Sequence, residues 1–237
     1  VIDASIGPKG PPTRVRFAMT PLPAHDITLG LLAGGRGSRL GGADKAWLMR
    51  DGKPQVLRWA QRYPGEHGPV LVSANRDLER YAASGLTAVP DRMVDRGPLS
   101  GLDALATACA TPWLFTLPVD LVGTNDCLLR TLISQRGANG AFACDDDGPQ
   151  PLVALWRCDA LRTACADAFE AGEAAVHRLA QRLDLARALF SGFRFGNLNT
   201  PEELRAAGVA YSDVMPSNTT DQDAMPSNLM PSDLAQS

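Results

Sequence analysis

Apolar and polar positions fall along this chain in blocks. Short, largely apolar runs at Ile27–Ala33, Pro69–Ala74, Thr87–Pro90 and Trp113–Leu117 alternate with stretches where apolar residues recur every three to four positions. An unbroken apolar run bounded by turn residues suits a strand covered on both faces, and the wider spacing suits a helix with one covered face. Helices are predicted at Leu57–Tyr63, Asp77–Ala83, Ser100–Cys109 and Asp126–Gln135. Ala141–Cys144 and Pro151–Trp156 read as two further strands, joined by a turn at Asp145, Asp146, Asp147 and Gly148. Helices near Asp159–Ala171 and Ala174–Leu183, a last strand at Phe190–Phe195 and a short helix at Pro201–Ala207 complete the pattern. Thr200 is placed to cap that final helix, with Pro201 in its first turn.

Strands alternating with helices predict an α/β fold: a doubly wound, mainly parallel sheet with helices on both faces. In such sheets ligands bind beyond the carboxyl ends of the strands. The polar signals fall there: a glycine-rich loop after the first strand, Ser73 and Asn75 after the second, Asp91 after the third and Asp120 after the fourth. The flanks differ. Residues 1–26 are rich in Pro and Gly without periodicity and read as a disordered leader, with Met19 a candidate start. Residues 212–237 carry repeated MPSN-type segments and too little apolar surface to fold, and read as a disordered acidic tail. The folded domain is placed at 27–211.

Charge narrows the class. The formal net charge is −3, and four acids, Asp213, Asp221, Asp223 and Asp233, lie beyond the last basic residue, Arg205. Without them the chain is close to neutral, so nucleic acid, which asks for a basic excess, is not an expected partner. No apolar run approaches the roughly 20 residues that span a bilayer, so no membrane is expected either. The five cysteines, 109, 127, 144, 158 and 165, form no CxxC pair, and His25, His67 and His177 have no ligand spacing. The cysteines read as free thiols in a reducing cytoplasm, and neither a disulfide scaffold nor a zinc site is expected.

The densest chemistry is in Leu31–Lys45, LLAGGRGSRLGGADK, with five glycines in nine residues, Arg36, Arg39 and Lys45. Glycines let backbone N–H groups approach a ligand, and the cations offset phosphate charge. A P-loop would place Lys and Ser or Thr after Gly42, where Ala43 and Asp44 stand. A dinucleotide fingerprint would place glycine where Leu40 stands. A polyphosphate cradle of another kind remains. The aspartates at 145–147 suggest a metal cluster on composition but a hairpin turn on context.

LLAGGRGSRLGGADKAWL resembles the signature of nucleotidyltransferases that attach a nucleoside monophosphate to a phosphorylated acceptor, and most of all the molybdenum cofactor guanylyltransferases. DGKP at Asp51–Pro54, SANR at Ser73–Arg76, Asp91, GPLSG at Gly97–Gly101, the Asp120 turn and NLNTPEEL at Asn197–Leu204 follow in the same order. The resemblance spans about Ile27 to Ala207 and implies a Rossmann-like nucleotidyltransferase, cytoplasmic, that joins GMP from GTP to the terminal phosphate of molybdopterin and releases pyrophosphate. It implies that backbone groups of Leu32, Ala33, Gly34 and Gly35 meet the nucleotide. Arg39 and Lys45 would stabilise the leaving pyrophosphate. Asp120 would hold Mg²⁺. Ser73, Asn75, Asp91 and Gly101 would form the nucleotide site, and Asn197 and Asn199 would lie near acceptor or metal. GTP and molybdopterin are the implied partners, with cofactor-delivery and molybdoenzyme chaperone proteins beyond them. Ser73 stands where the family commonly has Asn, and Pro151–Leu185 matches the acceptor half only loosely. Rival readings are a cytidylyltransferase on the same acceptor, a sugar-1-phosphate nucleotidyltransferase, or a silent nucleotide-binding regulatory module.

Overall fold

A computed structural model describes residues 21–34, 44–93, 96–123, 125–198, 201–206 and 208. Most of the leader, the tail, Gly35 through Ala43 with Arg39, and Asn199 and Thr200 lie outside the described residues.

Seven strands make one sheet, in the order β5-β4-β1-β6-β8-β7-β9. They are β1 (Ile27–Leu32), β4 (Val70–Ser73), β5 (Thr87–Val89), β6 (Trp113–Pro118), β7 (Gly140–Asp145), β8 (Gly148–Arg157) and β9 (Ala186–Leu189). Neighbours are parallel except where β8 runs antiparallel to both β6 and β7. The mainly parallel sheet is therefore as predicted. All six residues of β1 are buried, Thr28 included, as its central place in the sheet requires.

The helices are α1 (Gln55–Ala60), α2 (Leu78–Ala83), α3 (Pro98–Ala108), α4 (Leu128–Gln135), α5 (Cys158–Glu170), α6 (Val176–Arg182) and α7 (Pro201–Ala206). On one face, Trp59 of α1, Tyr63 just past its end, Tyr81 of α2 and Leu129 and Leu132 of α4 pack on Leu29, Leu31, Phe115 and Leu117. On the other, Leu102 and Leu105 of α3, Leu161 and Cys165 of α5 and Leu179 of α6 pack on Leu114, Phe142 and Trp156. The sheet is thus covered on both sides. Among the described residues no helix is long and apolar enough to cross a membrane.

Two elements differ from the sequence reading. The last strand is Ala186–Leu189, and Phe190–Phe195 is a turn and an irregular segment. Phe190 and Phe195 are buried against each other, ring centroids 5.5 Å apart, while Gly192 turns the chain at φ 73°. The apolar residues of FSGFRF therefore plug the core without pairing. An extra hairpin, β2 (Met49–Arg50) with β3 (Lys53–Pro54), crosses at Asp51 and Gly52, both at positive φ (50° and 71°). Asp-Gly is the preferred pair for that turn, so DGKP is a folding signal here.

Candidate nucleotide site

Leu32, the last residue of β1, is in register with Ser73 on one side and Pro118 on the other. The ends of β4 and β6 therefore flank the entry to the glycine loop about 5 Å away on each side. The carbonyl of Leu32 accepts from Val119 N at 3.1 Å, and Ala33 N donates to Ser73 O at 3.0 Å. The Ala33 amide, expected to meet a nucleotide, is already committed to extending the β1–β4 pairing.

On the β4 side the expected residues converge. Ser73 is fully buried and donates to Asp91 Oδ1 at 3.3 Å. Asn75 holds Asp91 twice: its Nδ2 donates to Oδ2 at 2.8 Å, and its Oδ1 accepts from the Asp91 backbone N–H at 2.8 Å. Asp91 is thus a carboxylate fixed in direction, with residual acceptor capacity on both oxygens. Gly34 lies next to them: a Cβ there would stand 3.8 Å from Ser73 Oγ and 3.9 Å from Asn75 Nδ2. Gly101 brings α3 onto the same group, because a Cβ there would come within 2.7 Å of Ser73 Oγ and 3.0 Å of Leu32 Cδ2. Only glycine permits that approach. α3 runs for 11 residues from Pro98 in its first turn, with no acid there, so its positive end meets the rim. Ser100 in that turn is buried, and its hydroxyl makes no hydrogen bond among the described residues.

On the β6 side Lys45 Nζ donates to Asp120 Oδ2 at 2.8 Å, both side chains being about one-fifth exposed (23% and 22%). The loop carrying Asp120 is braced from several directions. The Trp59 indole donates to Val119 O at 3.2 Å, Arg50 to Val122 O at 3.2 Å, and Leu198 N to Asp120 O at 2.8 Å. Leu121 makes an antiparallel bridge with Asn197, which puts that predicted residue next to Asp120. Asn199 and Arg39 lie outside the described residues.

Lys45 opens a short 3-10 turn, Lys45–Trp47, capped by Asp44, whose Oδ1 accepts from Ala46 N at 2.9 Å. Burial holds the Asp44 carboxyl above its ordinary range, against the lowering effect of the Ala46 and Tyr81 hydrogen bonds. Sequence reasoning missed Asp44, Tyr81, Trp59 and Arg50. Their contacts span 37 to 72 residues along the chain for the Tyr81, Trp59 and Arg50 pairs, and no local signal announces them.

Asp120 offers hard oxygen donors at an open rim. One carboxylate with phosphate oxygens and water is a donor set that Mg²⁺ accepts. Among the described residues no group of three His, Cys, Asp or Glu could hold a metal without such help. The aspartates at 145–147 form the β7–β8 turn, as expected: Asp145 accepts from Asp147 N, Gln150 Nε2 and Phe195 N at 3.0, 3.2 and 2.8 Å.

The central strand of the mainly parallel sheet thus leads into a glycine-rich loop, with a lysine–aspartate pair on one side and a fixed carboxylate on the other. The model of the MobA-like NTP transferase domain matches residues 30–187, and the chain belongs to that family. It is 37% identical over 196 residues to the molybdenum cofactor guanylyltransferase of Cupriavidus taiwanensis, covering 76% of this chain and 96% of that one. It is 32% identical over 182 residues to the molybdenum cofactor guanylyltransferase of Yersinia pseudotuberculosis, covering 75% and 93%. The fold is similar to the crystal structure of molybdopterin-guanine dinucleotide biosynthesis protein A from Archaeoglobus fulgidus, with a TM-score of 0.57 at 19% identity over 76% of this chain and 96% of that one.

Proposed function

We propose that this protein transfers the guanylyl group of GTP to the terminal phosphate of molybdopterin. The family and the two guanylyltransferase relatives support the reaction. The observation that carries it to this chain is the Lys45–Asp120 pair, held 2.8 Å apart at the end of β6 beside the glycine loop.

An oxygen of the acceptor phosphate attacks the α-phosphorus of GTP. The bond from that phosphorus to the bridging oxygen of the β-phosphate breaks, and pyrophosphate leaves with the electron pair. The attacking group is already anionic, so no side chain has to remove a proton. The protein aligns the two phosphates and offsets charge. The Asp120 carboxylate would hold Mg²⁺, which would supply neutralising charge to the phosphate oxygens. Lys45, then shared between Asp120 and the phosphates, places its ammonium where charge grows on the pyrophosphate. Asp91, fixed by Asn75 and Ser73, accepts from the base or ribose.

Incubation with Mg²⁺, molybdopterin and each of the four nucleoside triphosphates, followed by pyrophosphate release, tests the reading. Release with GTP is expected. Release with CTP alone makes the protein a cytidylyltransferase, and no release with any triphosphate refutes the enzymatic reading. Omitting molybdopterin but adding a sugar 1-phosphate separates the remaining rival.

A further inference from the structure

Tyr81 has no part in the chemistry above, yet it is fully buried at the back of the site. Its hydroxyl donates to Asp44 Oδ2 at 3.1 Å, while Asp44 Oδ1 accepts from Ala46 N at 2.9 Å. The Trp47 ring rests on the Tyr81 ring, centroids 4.9 Å apart. The Arg80 guanidinium lies over Trp47 at 4.0 Å. Helix α2 therefore grips the chain just before Lys45, through Asp44, and just after it, through Trp47.

We infer that Tyr81, acting through Asp44, is a positioning residue that aims Lys45 at the reacting phosphates. A lysine ammonium sits on a flexible four-carbon stem. Its aim is set by the backbone that carries it and by the carboxylate it meets. A misplacement of about 1 Å of a positioned group can cost about 10²-fold in rate. Trp47 packing on Tyr81 survives removal of the hydroxyl, so the hydrogen bond to Asp44 is the separable part of the grip. The charged groups of α2 that act on Asp44 are Asp77 and Arg80, of opposite sign. Losing the Tyr81 hydroxyl removes one of the two hydrogen bonds that favour the Asp44 anion.

The inference rests on the role given to Lys45 in the proposed reaction. Its test is a double-mutant cycle with Tyr81→Phe and Lys45→Ala, read on kcat/KM for GTP and on nucleotide affinity. Tyr81→Phe alone is expected to lower kcat/KM about tenfold, well within the range a misplaced group can cost. In the Lys45→Ala background the same change is expected to cost nothing further. The acid limb of the pH–rate profile is expected to move to higher pH in Tyr81→Phe. Wild-type turnover in Tyr81→Phe, or equal losses in both backgrounds, overturns the inference. Thermal unfolding of each variant confirms that the assays are made on folded protein. A wild-type protein that releases no pyrophosphate refutes the proposed function separately, and the affinity cycle then decides the positioning role by the same criterion.

Discussion

Two acidic regions sit at the same rim of the sheet and do opposite work. At the ends of β5 and β6, Asp91 and Asp120 are held by side chains or backbone yet keep oxygens available: Asp120 meets only Lys45 among the hydrogen bonds described for its carboxylate. At the turn between β7 and β8, Asp145 is saturated by backbone amides of Asp147 and Phe195 and by Gln150. Asp146 accepts from Gly192 N at 3.1 Å, and Asp147 pairs with Arg194 at 2.7 Å. Asp145 therefore has no acceptor left for a ligand, and Asp146 and Asp147 are each tied to the FSGFRF segment. The denser cluster in the sequence is therefore the structural one, and the scattered acids are the candidates for chemistry.

The comparison can be broken most sharply at Asp120. Asp120→Asn is expected to lower kcat by about 10³-fold, the scale of losing a principal charge-stabilising group, with thermal stability nearly unchanged. Steady-state kinetics beside a melting curve checks it. Next in size is Lys45→Ala, expected to cost about 10²-fold in kcat. Its partner Asp120 is partly open to water, so little stability should be lost with the pair. In the structural region the signs exchange. Asp145→Ala leaves two backbone amides without their acceptor and is expected to cost about 1–3 kcal/mol in urea unfolding, with turnover per folded molecule retained. A large loss of kcat at Asp145 without a stability loss would erase the distinction.

The smallest effect is expected at Asp103, a buried acid on α3. Its Oδ2 makes no hydrogen bond among the described residues and lies 3.6 Å from Arg92. Burial raises its carboxyl above the ordinary value of 3.8, with Arg92 opposing and Asp91 adding to the shift. The folded state therefore binds this proton more readily than the unfolded one. Stability from this group is present at low pH and falls as pH rises from 3.8 through the raised folded value. Asp103→Asn lacks that loss, and Arg92, mostly exposed, rehydrates when its partner goes. The variant is expected to lie within about 1 kcal/mol of wild type at pH 7, and to gain relative to wild type as pH rises through the acid range. Unfolding at a series of pH values reads both.

The same contrast explains what could be read in advance. The half that carries the candidate site is built from parallel strands buried on both faces, such as Ile27–Leu32, and these appear in a sequence as largely apolar runs. Ser73 ends β4, and Asn75, Asp91 and Asp120 each lie two residues past a strand end, so the fold rule alone placed them at one rim. The far half was less legible. Edge strand β9 is four residues, with Arg187 and Leu189 exposed, and gives no apolar run. The neighbouring FSGFRF has the aromatic content of a strand but spends it on a turn packed into the core. The bracing of the site was not legible at all. Nothing local to Trp59, Arg50 or Tyr81 shows that their polar atoms reach Val119, Val122 and Asp44.

The central claim is that guanylyl transfer takes place at the rim marked by Lys45 and Asp120. GTP labelled at the α-phosphate, incubated with the protein, Mg²⁺ and molybdopterin, tests it most directly, with the products separated and the Asp120→Asn variant run beside. The account predicts label in a molybdopterin–guanine dinucleotide with wild type and almost none with the variant. Label that stays in free guanine nucleotide, or that enters the dinucleotide equally with Asp120→Asn, would contradict it.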